Sequence, residues 1–157
     1  MAKVFTKQTI IPISVEEMMA FHNHPDVLRH LVMPPLILQV LRDERTSLTC
    51  GEVEFRLWFG PIPVPWLARH MLGPIKTSFK DIQIRGPLAK WEHEHIFEPV
   101  TGGTQLTDRI TLEHKPGLTG WVTRLLFDGL PLRLLFTYRH WRTRVAVQSR
   151  SSAPLTL

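Results

Sequence analysis

The stretches Phe79-Lys-Asp-Ile-Gln-Ile-Arg85 and Trp91-Glu-His-Glu-His-Ile-Phe97 set acids, an amide and imidazoles at alternating positions. That spacing puts side chains on one face of a β-strand. Phe79, Asp81 and Gln83 then point one way, and Trp91, His93, His95 and Phe97 share a face of the next strand. If Gly86-Pro87 closes a hairpin, Gln83 falls beside Trp91, Asp81 beside His93 and Phe79 beside His95. In the following stretch Asp108 has the same parity as Leu106, Ile110 and Leu112 and so faces inward with them. A polar cluster of Asp81, Gln83, His93, His95 and Asp108 therefore sits among aromatic neighbours.

Several kinds of chemistry fit such a cluster. One is a hydrogen-bonded network in which Asp–His pairs and arginines from a terminal helix, Arg139 or Arg142, neutralise one another. Another is a cavity floor that orients the polar end of an otherwise apolar ligand. A third is acid–base catalysis, with His93 or His95 as base and Asp81 or Asp108 orienting it, since a neighbouring carboxylate tunes an imidazole into a useful range. Metal binding has some support, because His-x-His projects both imidazoles to one side and Asp81 stands opposite. The run from Gly86 to Gly102 misses the cupin metal spacing, however, and no second cupin motif follows, so the expectation is no metal and no cofactor. Other chemistries lack their residues. There is no Gly-x-Ser-x-Gly elbow, Cys50 has no CxxC partner, and Gly102-Gly103 precedes a strand where a phosphate loop would need a helix.

The elements that must position the cluster follow from pattern. Lys3 to Ile13 alternates like a strand that ends near Pro12. Ser14 with Glu17 makes a capping box that starts a short helix over 14–21, and Pro25 opens a second carrying Val27 to Val32 before Pro34-Pro35. Strands are expected at Leu36–Leu41, Gly51–Phe59, Trp66–Leu72, Thr77–Arg85, Lys90–Phe97 and Thr104–His114, with short turn-rich separators that imply an antiparallel meander. The Pro-rich Gly60–Pro65 segment reads as a hairpin connection or a lid. Leu118–Asp128 is helical in texture, and Gly129-Leu-Pro131 divides it from a long helix. On that helix Leu134, Tyr138, Trp141 and Val145 form an apolar stripe to lay against the sheet. Inward aromatics would then include Phe55, Trp91, Phe97, Tyr138 and Trp141, and the tail from 149 would fray.

Composition narrows the class. A chain of 157 residues, 43% hydrophobic and with one cysteine, suits a single domain over 1–157 without an internal disulfide. The start lacks a signal-peptide h-region, so the reading is cytoplasmic, and Arg133 breaks the longest apolar run well short of a membrane span. The net charge of +5 lies entirely in the last quarter: residues 116–157 carry six arginines against Asp128, while residues 1–115 balance at thirteen each. Such a face could make weak contact with an anionic surface, or its arginines could pair with carboxylates elsewhere in the chain. No nucleic-acid-binding signature accompanies it, and no nucleic-acid partner is expected.

The order of elements and the motifs Phe79-x-Asp81-x-Gln83-x-x-Gly86-Pro87, Trp91-x-His93-x-His95-x-Phe97, Gly103-Thr104-x-Leu106-x-Asp108 and Tyr138-Arg139-His140 resemble the SRPBCC superfamily. Within it, the likeness is to the small bacterial ligand-binding branch labelled polyketide cyclase/dehydrase and lipid transport. It covers about residues 3–148. The resemblance implies an α+β helix-grip fold, with a seven-stranded antiparallel sheet wrapped around a long C-terminal helix and two short helices after the first strand. It also implies a hydrophobic cavity between sheet and helix for an apolar, lipid-like or polyketide-like small molecule. The residues expected to line it are Phe55, Phe79, Asp81, Gln83, Trp91, His93, His95, Phe97, Asp108, Tyr138, Arg139 and Trp141. The superfamily contains both carriers and enzymes, so the fold selects no activity.

Overall fold

The computed structural model describes residues 1–151. Strand β1 (Lys3–Ile11) leads into α1 (Val15–His22), whose capping box forms as the sequence requires: Glu17 N–H donates to Ser14 Oγ at 3.2 Å, and Ser14 N–H donates to the Glu17 carboxylate at 2.9 Å. A single turn, α2 (Val27–His30), follows. The meander then runs through β2 (Ile37–Asp43), β3 (Gly51–Phe59), β4 (Ile62–Leu72), β5 (Ser78–Arg85), β6 (Lys90–Val100) and β7 (Gly103–Glu113). These seven strands form one antiparallel sheet in the order β1-β7-β6-β5-β4-β3-β2. The first strand pairs with the last, which leaves β1 and β2 as the two edges of the sheet.

Two details depart from the sequence reading. The Gly60–Pro65 segment is mostly strand: only Gly60-Pro61 turns, and β4 begins at Ile62 with Pro63 and Pro65 opposite Trp58 and Arg56. Those prolines are tolerated because pairing with β5 starts only at Leu67, which leaves that side of β4 without a partner to need their missing N–H groups. The segment is thus a hairpin arm and no lid. At the other end, α4 (Gly129–Ser151) continues past 149, and the rest of the expected frayed tail lies outside the described residues.

Helix α3 (Gly117–Phe127) is separated from α4 by an extended Asp128 and by Gly129 at φ +56°, a left-handed conformation that turns the chain without a Cβ penalty. The face of α4 that meets the sheet carries Leu132, Phe136, His140, Thr143 and Val147, all buried. The stripe expected there points away: Trp141 is 54% exposed, Leu134 51% and Val145 37%. The cause is composition. The buried stripe includes His140 and Thr143, so a hydrophobic count favours its neighbour, one step round the helix. Apolar packing falls into two groups. One gathers Ile11, Met18, Phe21, Phe97, Leu106 and Val147 beneath α1; the other gathers Trp66, Trp91, Ile110, Phe127 and Phe136 towards α3.

Candidate functional site

Sheet register builds the site. Two of the expected hairpin pairings are observed, Asp81 opposite His93 and Phe79 opposite His95, but the ladder ends at Ile82–Glu92 and Gln83 does not pair with Trp91 because it turns to the Leu88 carbonyl. Because β4 and β7 continue the ladder, His70, Asp81 and His93 lie side by side across three strands, and Phe79, His95 and Asp108 form the adjacent row. Alternation sends all six to the face covered by α4.

Asp108 joins the sheet to the helix. Its Oδ1 accepts from His93 Nε2 at 3.0 Å, and its Oδ2 accepts from His140 Nε2 at 3.0 Å. His140 Nδ1 shares a 2.7 Å hydrogen bond with the Thr9 hydroxyl on β1. Asp81 Oδ2 accepts from His95 Nε2 at 3.2 Å and lies 3.5 Å from His93 Nδ1. His95 Nδ1 is 3.0 Å from Asp108 Oδ1 but off the hydrogen-bond direction, and it is buried without a hydrogen-bond partner. Phe79 stacks on the His95 ring with centroids 4.2 Å apart, and the His93 and His95 rings lie 3.7 Å apart.

Burial and charge set the protonation states. Burial pulls His93 down to about 4, helped by the charge of His95, so His93 is neutral at pH 7 with its proton on the nitrogen that faces Asp108. Burial also acts to lower His95, but the Asp108 and Asp81 carboxylates outweigh it and raise its pKa. Both carboxylates are held below their ordinary range: burial opposes this, and the histidine charges and hydrogen bonds prevail. His22, at the end of α1, is pushed down to about 3 by burial and donates from Nδ1 to the Met18 carbonyl at 2.9 Å.

Above this polar floor is a cavity of about 130 Å³. Asp81, His93, His95, His22 and His70 form its base, and Phe55, Trp66, Trp91, Phe127 and Phe136 its aromatic wall. Trp66 meets Trp91 edge to face at 5.5 Å, which stiffens that wall. Two arginines reach the cavity. Arg45 is neutralised by Asp43, to which its Nε donates at 2.8 Å. Arg139 closes no ion pair among the described residues; its guanidinium lies 5.5 Å over the Phe136 ring, and its buried Nε has no hydrogen-bond partner.

Of the residues singled out from sequence, Phe55, Phe79, Asp81, Trp91, His93, His95 and Arg139 line the cavity. Asp108 lies behind the histidines instead. Gln83 serves the hairpin, donating from Nε2 to the Leu88 carbonyl at 2.9 Å. Phe97 is fully buried in the group beneath α1, away from the cavity. Tyr138 and Trp141 pack on each other on the outer part of α4, with centroids 5.6 Å apart, because the helix presents the stripe one step round. Nor do the helix arginines neutralise the cluster: Arg142 and Arg144 donate to the His30 and Ile10 carbonyls, and His140 takes the place expected of Arg139 or Arg142. Among the described residues, none of the arginines from 124 to 144 closes an ion pair, so the expected pairing with distant carboxylates is also absent. Sequence reasoning missed His22, His70 and Thr9 entirely. His140 was visible only as part of the Tyr138-Arg139-His140 motif.

No protein-family model and no curated protein sequence matches the chain. Solved structures do. The Zhui aromatase/cyclase from Streptomyces sp. R1128 superposes with a TM-score of 0.72 over 98% of each chain at 15% identity. A norcoclaurine synthase point mutant from Thalictrum flavum, in complex with a transition-state analogue, gives 0.72 over 97% of this chain and 98% of its own at 13% identity. A nucleoside-diphosphate sugar epimerase from Corynebacterium glutamicum gives 0.70 at 25% identity over 94% of this chain, which spans only 30% of that one. With the seven-stranded sheet and the long terminal helix, these likenesses identify the fold of the chain as the helix-grip α+β fold.

Proposed function

We propose that the chain binds an apolar small molecule in the cavity between sheet and α4, with the molecule's polar end directed at the histidine–aspartate floor. The observation that carries this reading is the change of character along one cavity, from aromatic walls to a floor of Asp81, His93 and His95. Aromatic walls favour an unsaturated or ring-bearing body, and a few fixed polar groups orient it. A volume of about 130 Å³ suits one ring, since an apolar void of about 150 Å³ takes up benzene. A larger ligand extends through the mouth or moves the wall. Arg139, with no carboxylate of its own, favours an acceptor-rich or anionic group on the ligand.

The test is mass spectrometry of the freshly purified protein under native and then denaturing conditions, with analysis of the organic extract and titration with a fluorescent apolar probe. A retained compound or stoichiometric probe uptake, lost when Phe55 or Trp91 is replaced by a charged residue, supports the reading. A folded protein that takes up neither removes it.

A second reading, a cyclase- or dehydratase-type enzyme acting on such a ligand, is favoured by the His93–Asp108 pair. Asp108 accepts from Nε2 and leaves Nδ1, 3.5 Å from Asp81 Oδ2, as the nitrogen able to act as a base. His93→Gln would then abolish turnover of the retained compound while leaving its affinity within a fewfold; equal loss of both returns the site to a binding role.

A further inference from the structure

We infer that Asp81, His93 and His95 form a site for one divalent first-row transition ion, with its open coordination position facing the cavity. The inference deepens the proposed binding function in one respect, since the ion's role towards a ligand depends on the cavity admitting one.

The distances fit. One donor atom from each residue lies within 4.8 Å of the other two. Asp81 Oδ2 is 3.2 Å from His95 Nε2 and 3.5 Å from His93 Nδ1. Donors held at about 2.0–2.1 Å from a tetrahedral ion stand about 3.3 Å apart. Motif spacing argued against a metal because it looked for a fixed sequence interval. Here one ligand comes from β5 and two from β6, and strand register sets their separation.

The geometry between Asp81 and His93 also lacks something. Because the His93 Nε2–H is committed to Asp108, its Nδ1 turns a lone pair towards the Asp81 carboxylate. The two atoms stand 3.5 Å apart with no hydrogen bond between them, and the same Asp81 oxygen takes a hydrogen bond from His95 Nε2. A cation in that gap is ligated by Asp81 Oδ2, His93 Nδ1 and His95 Nε2, and His95 gives up its Nε2 proton as the ion binds.

Support behind the ligands completes the arrangement. Asp108 Oδ1 stands 3.0 Å from the outer nitrogens of both imidazoles, and it is itself held by His140, which is held by Thr9. A carboxylate behind a ligating histidine fixes its tautomer and ring orientation and raises its basicity. Two nitrogen donors and one oxygen, without thiolate, suit zinc or ferrous iron better than calcium or copper(I). All three residues line the cavity, so the ion has an entry path and keeps a free position. A ligand carbonyl, carboxylate or hydroxyl oxygen would fill that position, and the ion would polarise it as a Lewis acid.

The test uses the whole chain, stripped with a chelator and titrated with Co²⁺, followed by Zn²⁺ displacement. The expected result is one Co²⁺ per chain with visible d–d bands, displaced by Zn²⁺. Asp81→Asn or His93→Gln should lower affinity by at least about 100-fold, and Asp108→Asn by about 10–100-fold, while the surface change His30→Gln leaves it unaltered. Should the variants fail to fold, imidazole ¹⁵N spectra of the unaltered chain decide. Zn²⁺ should shift His93 Nδ1 and His95 Nε2 but not His22 or His140. A folded chain that takes up no Co²⁺, or that binds it through other histidines, overturns the inference. The apolar probe, titrated into metal-free protein, reports on the cavity reading separately: probe uptake without metal uptake sinks the ion site alone, and the reverse sinks the cavity alone.

Discussion

The interior beneath α4 has two unlike ends. Under α1 it is solid: Met18 and Phe21 from the helix fill the space over Phe97, Leu106 and Ile11, and Phe97 and Ile11 have no exposed surface. Towards α3 and α2 the same sheet and the same helix enclose a void, walled by Trp66, Trp91, Phe127 and Phe136 together with Val27 and Leu31. Between the ends runs the polar seam of Asp81, His93, His95, Asp108 and His140, bordered by His22, whose ring lies 4.9 Å from Phe97 and 5.8 Å from His95. The contrast assigns the ends different work. One holds the helix on the sheet, and the other leaves the cavity in which we propose that a ligand binds.

Four predictions bear on that contrast, the seam first. Removing the carboxylate in Asp108→Ala strands the His93 and His140 donors in a buried place, so a loss of about 3–5 kcal/mol is expected in denaturant unfolding. A loss below about 1 kcal/mol would mean that the seam is wetter than its burial indicates. Phe97→Ala at the solid end should cost a similar amount, about 3–5 kcal/mol, with no gain in probe uptake. Trp91→Ala at the open end should cost less, about 1–3 kcal/mol, and change probe affinity markedly. Equal costs with unchanged uptake at both ends would erase the distinction. Trp141→Ala, on the outward stripe, should fall within about 0.5 kcal/mol of the unaltered protein.

Acid should act on the seam in a defined direction. His22 and His93 are held down to about 3 and about 4 in the folded chain, against an ordinary 6.5, so the unfolded chain binds their protons more readily. Their contribution is complete above pH 6.5 and is lost as pH falls from there towards 3–4. The lowered Asp81 and Asp108 add a further loss below the ordinary carboxylate value of 3.8. His95 works oppositely: its raised pKa contributes stability present below 6.5 that disappears as pH rises through the raised value. Thermal midpoints followed from neutral to acid pH should therefore begin to fall in the histidine range, well before the carboxylates titrate. Replacing His22 with leucine should reduce that early slope.

Much of the fold was legible because it is written in local chemistry. The capping box at Ser14, the prolines and glycines between strands and the alternation in β5 and β6 each act over a few residues. The hairpin between them set the Asp81–His93 and Phe79–His95 pairings correctly, since a short turn leaves little choice of register. The site was legible only as far as that hairpin reached. His70 joins Asp81 through β4, His22 arrives from α1, and Thr9 from β1, and no local pattern ties those residues to the cluster.

The sequence by itself determined the element order, the antiparallel pairing of β5 with β6 and the inward parity of Asp81, His93, His95 and Asp108, because period-two alternation and turn chemistry are properties of neighbouring residues. Only the tertiary structure decided which stripe of α4 meets the sheet. Hydrophobicity pointed to Leu134, Tyr138, Trp141 and Val145, yet the buried stripe carries His140 and Thr143. Burying His140 is favourable only because Asp108, 32 residues away in the chain, waits there to accept its proton's hydrogen bond. A polar residue's preference for the interior depends on its partner, and the partner's position exists only in the folded chain.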